Sequence, residues 1–271
     1  MTDRYAVIGH PVSHSMSPQI HAAFALATQQ DMHYERLLAP LDGFAATVRD
    51  FRAHGGCGAN VTLPFKQEAF ALCESLSARA RSAGAVNTLY WDKDALHGDN
   101  TDGAGLVHDL IGNLGQVLKS ARVLLVGAGG ASRGVLLPLL AEQPAGVVIA
   151  NRTEAKAREL AEAHAGARAA TFTALAGERF DVVINATSAS LGGELPPLPE
   201  GLFGHGSLAY DMMYGKGDTP FLAWAGRHGA TRLADGLGML VEQAAEAFFL
   251  WRGVRPDTAP VLAALRQATG A

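Results

Sequence analysis

The run Val123-Leu-Leu-Val126 passes directly into Gly127-Ala-Gly129-Gly130, and the chain beyond reads as helix to Leu140. An uninterrupted apolar strand marks a strand buried on both faces, as at the centre of a parallel sheet. Val147 to Ala150 and Asp181 to Asn185 repeat the pattern, and Leu208-Ala-Tyr210 is a fourth run. Glu154 to His164 is patterned as a helix between them. Strands that alternate with helices predict a doubly wound parallel sheet. Glycine bears on what this sheet does: 31 of 271 residues are Gly, against a usual share of about 7%. No Gly-X-Y period accompanies them, so the excess means tight turns or close backbone approaches.

The loop after Val126 meets the context of a dinucleotide fingerprint, a strand before it and a helix after it. Gly127 permits the tight turn, and Gly129 lets the backbone approach a pyrophosphate. Free N–H groups at the helix start then face that anion, so Gly127, Ala128, Gly129, Gly130 and Ala131 are expected to bind the cofactor. The third fingerprint position holds Ser132 rather than Gly, and the same turn also serves an ordinary strand–helix connection. The end of the second strand separates cofactors. An NAD site places a carboxylate there, about 20 residues on, for the ribose 2′-hydroxyl. This chain has Asn151-Arg152-Thr153, with Lys156 a turn later. Arg152 and Lys156 attract a 2′-phosphate and Thr153 donates a hydrogen bond, so NADP is expected over NAD. The bland alternative makes Thr153 a helix N-cap and leaves both cations solvated. Thr187 and Ser188 end the third strand, where they line a cofactor or simply make a turn.

The first block shows strands at Tyr5–Gly9, Tyr34–Leu38, Ala59–Thr62 and Val86–Trp91. Ser17-Pro18 opens a helix with Ser17 as N-cap and Pro18 at the first position. Phe44, Val48 and Phe51 mark a second helix, and Pro64 starts a third with Lys66 in its first turn. Gly236 to Leu250 is helical and apolar, and a last helix follows Pro256-Asp257. The expected organisation is α/β throughout. Residues 1–103 with 238–271 form one domain, residues 104–237 form the Rossmann domain, and a cleft lies between them.

Composition removes several classes of function. Lys plus Arg is 22 and Asp plus Glu is 26, a net charge of −4, without the clustered positive charge of a nucleic-acid binder. Hydrophobic residues are 48% and charged residues 18%, too apolar for disorder. No apolar run is long enough for a membrane span, and Met-Thr-Asp-Arg-Tyr at the start has no apolar signal core. Cys57 and Cys73 lack CxxC spacing and a nearby His pair, which argues against a zinc site or disulfide framework and for a reducing cytoplasm.

Four segments of the first block gather polar residues beside short strands: His14-Ser15-Met-Ser17-Pro18, Asn60-Val-Thr62-Leu-Pro-Phe-Lys66, Gly84-Ala-Val-Asn87-Thr88 and Gly98-Asp-Asn-Thr-Asp102-Gly103. Singly, each has a structural explanation: Ser17 and Asp102 as helix caps, Asn87 as a turn residue, Lys66 as a solvated lysine. Together on a domain joined to a nucleotide-binding one, they suit ketone reduction. That chemistry needs a group to stabilise the growing alkoxide and deliver a proton, which a Lys beside an Asp can do. Ser15, Ser17, Thr62, Asn60 and Asn87 suit a small, polyhydroxylated anion. Neither a metal cluster nor Tyr-x-x-x-Lys is present.

On these segments, with Asp235-Gly-Leu-Gly-Met-Leu240 leading to Gln243, the chain resembles the NADP-dependent shikimate dehydrogenase family from end to end. The resemblance implies the interconversion of 3-dehydroshikimate and shikimate in aromatic amino-acid (chorismate) biosynthesis. It implies Lys66 and Asp102 as catalytic pair and Ser15 and Ser17 on the substrate carboxylate, with Tyr214 nearby. Asn60, Thr62, Asn87, Asp102 and Gln243 would hold the hydroxyls, and Met212, Gly236 and Met239 would lie near the nicotinamide. It implies a catalytic domain and a Rossmann domain joined by helices and able to close. A homodimer is compatible with it. Relatives that use quinate alter the serine pair or carry an acid after the second Rossmann strand, so Ser15, Ser17 and Arg152 point to shikimate and NADP. A non-catalytic NADP sensor would be expected to lack the Lys66–Asp102 pair. A methylene-tetrahydrofolate dehydrogenase leaves the serine pair unexplained. One departure is the loop Ala189-Ser190-Leu191 before Gly192-Gly193, where the family often has an earlier glycine.

Overall fold

The computed structural model describes residues 2–187 and 194–270. Contacts divide the chain into two compact units, 1–105 with 241–261 and 106–240 with 262–271. The closing ten residues therefore group with the second unit, whereas the expected division carried everything from 238 onward with the first. Arg266 lies 3.5 Å from Asp235 of the second unit. Among the described residues no helix is long and apolar enough to cross a membrane.

The first unit runs β1 (Asp3–Gly9), α1 (Ser17–Ala27), β2 (Met32–Leu38), α2 (Phe44–Ala53), β3 (Gly56–Val61), α3 (Lys66–Leu72), β4 (Ser75–Leu76), α4 (Ala78–Ala83), β5 (Thr88–Asp92), β6 (Ala95–Asp99) and the start of α5 (Asp102–His108). Among the described residues its sheet has the order β2-β1-β3-β5-β6-β4. The β1 strand is parallel to β2 and β3, and its last five residues are buried. Alternate side chains serve opposite faces. Ala6 and Ile8 join Phe44, Val48 and Phe51 of α2, while Tyr5 and Val7 join Val12 and Tyr34. The β5 strand is antiparallel to both β3 and β6; the second pairing follows from Lys93, at φ +56, which turns the chain straight back into β6. This hairpin makes the first sheet mixed. The α1 helix starts at Ser17 itself. Met16 occupies the cap position and no side chain caps the helix, so the Ser17 hydroxyl is not the N-cap the sequence suggested.

The second unit runs β7 (Arg122–Val126), α6 (Gly130–Ala141), β8 (Gly146–Ala150), α7 (Glu154–Glu162), β9 (Ala167–Ala170), β10 (Phe180–Asn185), β11 (Phe203–Asp211), α8 (Pro220–Arg227), β12 (Arg232–Ala234) and the start of α9 (Leu237–Arg252); α10 (Ala259–Thr269) closes the chain. Among the described residues its strands are all parallel, in the order β12-β11-β10-β7-β8-β9. Val123 and Leu125 of β7 face one core, and Leu124 and Val126 face the other. A strand covered on both faces has no room for polar alternation, and each such Val or Leu contributes about 1.5–3 kcal/mol of burial. The chain proceeds outward from β7 to β9, then returns to β10 and proceeds the other way. The carboxyl ends of β7 and β10 therefore flank the switch point, where ligands bind in open α/β sheets.

Candidate active site

In the first unit, Lys66 opens α3 and Asp102 opens α5, 36 residues later. Lys66 Nζ donates to Asp102 Oδ2 at 2.6 Å, with both side chains partly exposed. The other Asp102 oxygen, Oδ1, accepts from Asn87 Nδ2 at 2.8 Å. Asp102 is thus no helix cap. It is Asn100 whose Oδ1 accepts from the Asp102 N–H, at 3.1 Å. Asn87 is buried, and its Oδ1 accepts from the Thr101 N–H at 2.8 Å and from Thr88 Oγ1 at 2.9 Å. A backbone donor on Oδ1 settles which way the amide points. Asn60 Nδ2 donates to Thr88 Oγ1 at 3.1 Å, and Gln243 Oε1 lies 3.5 Å from both Asn87 Nδ2 and Thr101 Oγ1.

Burial of ionised groups needs partners, and the segment before Asp102 has them. Arg79 grips Asp99 through Nε–Oδ1 at 2.7 Å and Nη2–Oδ2 at 2.8 Å, and reaches Glu246 at 2.9 Å. Ser77 Oγ and the Asn100 N–H also donate to Asp99. This grip holds the 99–102 turn and hence the Asp102 carboxylate. The serine pair is held separately. Ser15 Oγ donates to Ser17 Oγ at 3.2 Å, and Arg36 reaches the Ser15 carbonyl through Nε at 3.0 Å and Nη2 at 2.5 Å. Thr62 is half-buried beside Gly9, where an added Cβ would collide with its methyl group. The first unit therefore brings together Asn60, Lys66, Asn87, Asp102 and Gln243.

In the second unit, Gly127 takes φ +111, a conformation L side chains rarely adopt. Added Cβ atoms at Gly129 and Gly130 would meet nothing within 4 Å. The α6 helix begins there with no side-chain cap, so its first N–H groups lie open to an anion. Ala128 packs into the core and Ala131 is exposed. Asn151 Nδ2 donates to the Thr153 carbonyl at 2.9 Å. Thr153 sits at the cap position of α7, but its side chain makes no capping bond. Arg152 and Lys156 are exposed, and among the described residues neither has an ion-pair partner. These groups fit a phosphorylated dinucleotide: an uncapped helix start under a glycine turn, with two exposed cations at the end of the next strand.

Thr187 donates to Asn185 Oδ1 through its hydroxyl at 2.8 Å and through its N–H at 3.2 Å, forming a turn. Ser188 lies outside the described residues, as does the loop to Gly193. Met212 is half-buried and Met239 buried in the second unit's core. At Gly236 a Cβ would collide with the Met212 carbonyl. Tyr214 is in the second unit and 37% exposed; burial, with Asp235 nearby, raises its hydroxyl pKa. Among the described residues no group of three or more His, Cys, Asp or Glu could hold a metal ion. Thr88, Thr101, Asp99 and Arg79 were missed as site residues, although three of them stand inside the polar segments.

Three family models match the chain. They are described as Shikimate dehydrogenase substrate binding domain over residues 7–89, Shikimate / quinate 5-dehydrogenase over 109–192, and Shikimate 5'-dehydrogenase C-terminal domain over 236–266. The chain is 61% identical over 273 residues to the Shikimate dehydrogenase (NADP(+)) of Nitrosospira multiformis, covering 100% of this chain and 99% of that protein. Among solved structures it is similar to an Ael1 enzyme from Pseudomonas putida. That likeness has 51% identity and TM-score 0.94, covering 97% of this chain and 98% of that one. The shikimate 5-dehydrogenase of Thermus thermophilus, solved in complex with NADP(H) and shikimate, is 35% identical with TM-score 0.88, over 98% of this chain and 100% of that one.

Proposed function

The chain belongs to the shikimate dehydrogenase family, and on that premise we propose that it catalyses the NADP-dependent, reversible reduction of 3-dehydroshikimate to shikimate on the route to chorismate and the aromatic amino acids. The observation that carries the site assignment is the 2.6 Å contact of Lys66 Nζ with Asp102 Oδ2, itself tied to Asn87. When bound, the reduced cofactor supplies the hydride. Lys66 donates a proton from Nζ to the ketone oxygen as it becomes the alcohol, and takes it back in the reverse direction. Asp102 aims the Lys66 side chain and accepts a bond from a neighbouring substrate hydroxyl. Ser15 and Ser17 bind the carboxylate; Asn60, Thr62, Asn87 and Gln243 select the hydroxyl pattern; Tyr214 contributes near the carboxylate. Gly127 to Ala131 receive the pyrophosphate, and Asn151, Arg152, Thr153 and Lys156 receive the 2′-phosphate. Thr187, Met212, Gly236 and Met239 face the rest of the cofactor.

Cys57 and Cys73 are free, in keeping with a reducing cytoplasm. A homodimer is compatible with this reading and is tested by light scattering. The deciding experiment follows reduced-nicotinamide absorbance with shikimate or quinate and with NADP or NAD. Turnover is expected with shikimate and NADP, and Lys66→Met is expected to lower kcat by about 10²–10⁴. Absence of shikimate turnover overturns the activity, and a Lys66→Met enzyme near wild type overturns the catalytic assignment.

A further inference from the structure

The Asp102 carboxylate ends a chain of hydrogen bonds whose far members have no role in the reaction described above. Tyr34, on β2, donates from its hydroxyl to Asn60 Oδ1 at 2.7 Å. Asn60 Nδ2 donates to Thr88 Oγ1 at 3.1 Å, and also to the Asn87 carbonyl at 3.2 Å. Thr88 Oγ1 donates to Asn87 Oδ1 at 2.9 Å, and Asn87 Nδ2 donates to Asp102 Oδ1 at 2.8 Å. Lys66 closes the chain on the other carboxylate oxygen.

The direction of each bond follows from its partners, although the Thr88 hydroxyl also has Thr101 Oγ1 at 3.3 Å. An ionised carboxylate only accepts, so Asn87 must present Nδ2 to Asp102 and Oδ1 to the opposite side. The Thr101 N–H on that Oδ1 fixes the same orientation independently. Thr88 has one proton. With Asn87 Oδ1 taking it, the Thr88 oxygen is left to accept from Asn60 Nδ2. Asn60 must then present Oδ1 to Tyr34, whose hydroxyl donates. Thr88 is 0% exposed, Asn87 2%, Asn60 6% and Tyr34 7%, so the chain is shielded from bulk water. At the outer end the Tyr34 ring stacks on the buried His21 ring at 4.2 Å. The chain thus leads from Tyr34 to the carboxylate that holds Lys66.

We propose that Tyr34 and Thr88 are positioning residues: through this chain they complete, beside the Thr101 N–H, the hold on both asparagine amides and so keep Asp102 against Lys66. Both residues are buried. Successive donors pointing the same way polarise one another, so a break anywhere weakens the bond at Asp102. The catalytic meaning of the chain rests on the proposed function; its existence does not.

The test uses the full chain carrying Tyr34→Phe, Thr88→Val, both together, and Thr88→Ser. Each single loss leaves a buried acceptor or donor unmet. It is expected to lower kcat/KM for shikimate about tenfold, with an unchanged KM for NADP. Since a chain is broken only once, the double variant is expected to match the worse single one. Thr88→Ser, which keeps the hydroxyl, is expected to restore activity. In substrate-free protein, Tyr34→Phe is expected to shift the side-chain amide resonances of Asn87, with which Tyr34 has no direct bond. Independent losses that multiply in the double variant, or an Asn87 amide indifferent to Tyr34, overturn the proposal. A wild-type enzyme inactive on shikimate refutes the proposed function and leaves the amide resonances to decide the chain.

Discussion

Replacing His21 by Phe changes how the first unit withstands acid, and the size of the change follows from where the ring sits. His21 is 0% exposed and stacks on Tyr34 at 4.2 Å and 5°. Neither ring nitrogen has a hydrogen-bond partner at bonding distance. Burial lowers its pKa from 6.5 to about 3, with the Asn60 side chain pulling the other way. Between those two values the unfolded chain holds a proton on His21 that the folded chain refuses. The unfolded state then binds more protons, so stability falls as pH falls. The imidazole has no such effect above its ordinary pKa, and below it costs about 1.4 kcal/mol per pH unit until about pH 3. At about pH 5 the cost is about 2 kcal/mol. Phe preserves the ring packing and does not titrate. The assay is urea unfolding of wild type and His21→Phe at about pH 7.5 and about pH 5, each in a Trp224→Phe background. Emission then comes from Trp91 and Trp251 of the first unit. Carboxylates that titrate in both proteins cancel in the comparison. Wild type is expected to lose about 2 kcal/mol more than the variant. Equal losses refute the depressed pKa and the reasoning from burial.

The second unit offers two tests. Arg152→Gln removes an exposed cation without an ion-pair partner among the described residues. It is expected to raise the KM for NADP about ten- to a hundredfold and leave that for NAD nearly unchanged; an equal effect on both cofactors removes Arg152 from the 2′-phosphate. Gly127→Ala places a side chain at φ +111, with its Cβ 3.1 Å from Thr187 Cγ2. It is expected to cost about 1–3 kcal/mol, read as a lower melting temperature and weaker NADP binding by fluorescence titration.

Much of the second unit was legible along the chain. Val123–Val126, Val147–Ala150 and Asp181–Asn185 announce themselves because central parallel strands are apolar throughout. The edges did not. Ala167–Ala170 and Arg232–Ala234 are short, and most of their residues are half-buried or exposed, so neither periodicity nor a continuous apolar run marks them. In the first unit, Ala95–Asp99 went unread as a strand because its identity comes from pairing with Thr88–Asp92. The Ser17 cap was wrong for a related reason. Ser-Pro predicts a helix start well, but one residue of register decides whether the serine caps the helix or points elsewhere.

The sequence by itself determined the chemistry available: a glycine turn at a strand end, cations in place of a carboxylate after the next strand, and four polar segments in the first block. Those are local properties, set by residue type and by spacing within a turn or two. Only the tertiary structure decided which of these groups meet. Lys66 and Asp102 are 36 residues apart in the chain and 2.6 Å apart in space, and Tyr34 reaches Asn60 across the β1 strand that separates β2 from β3. Strand order and register set such meetings through the burial of side chains far away in the sequence. The Thr88 hydroxyl meets Asn60, Asn87 and Thr101 for the same reason: its neighbours are placed by the fold, and buried donors and acceptors must pair with whatever the fold brings.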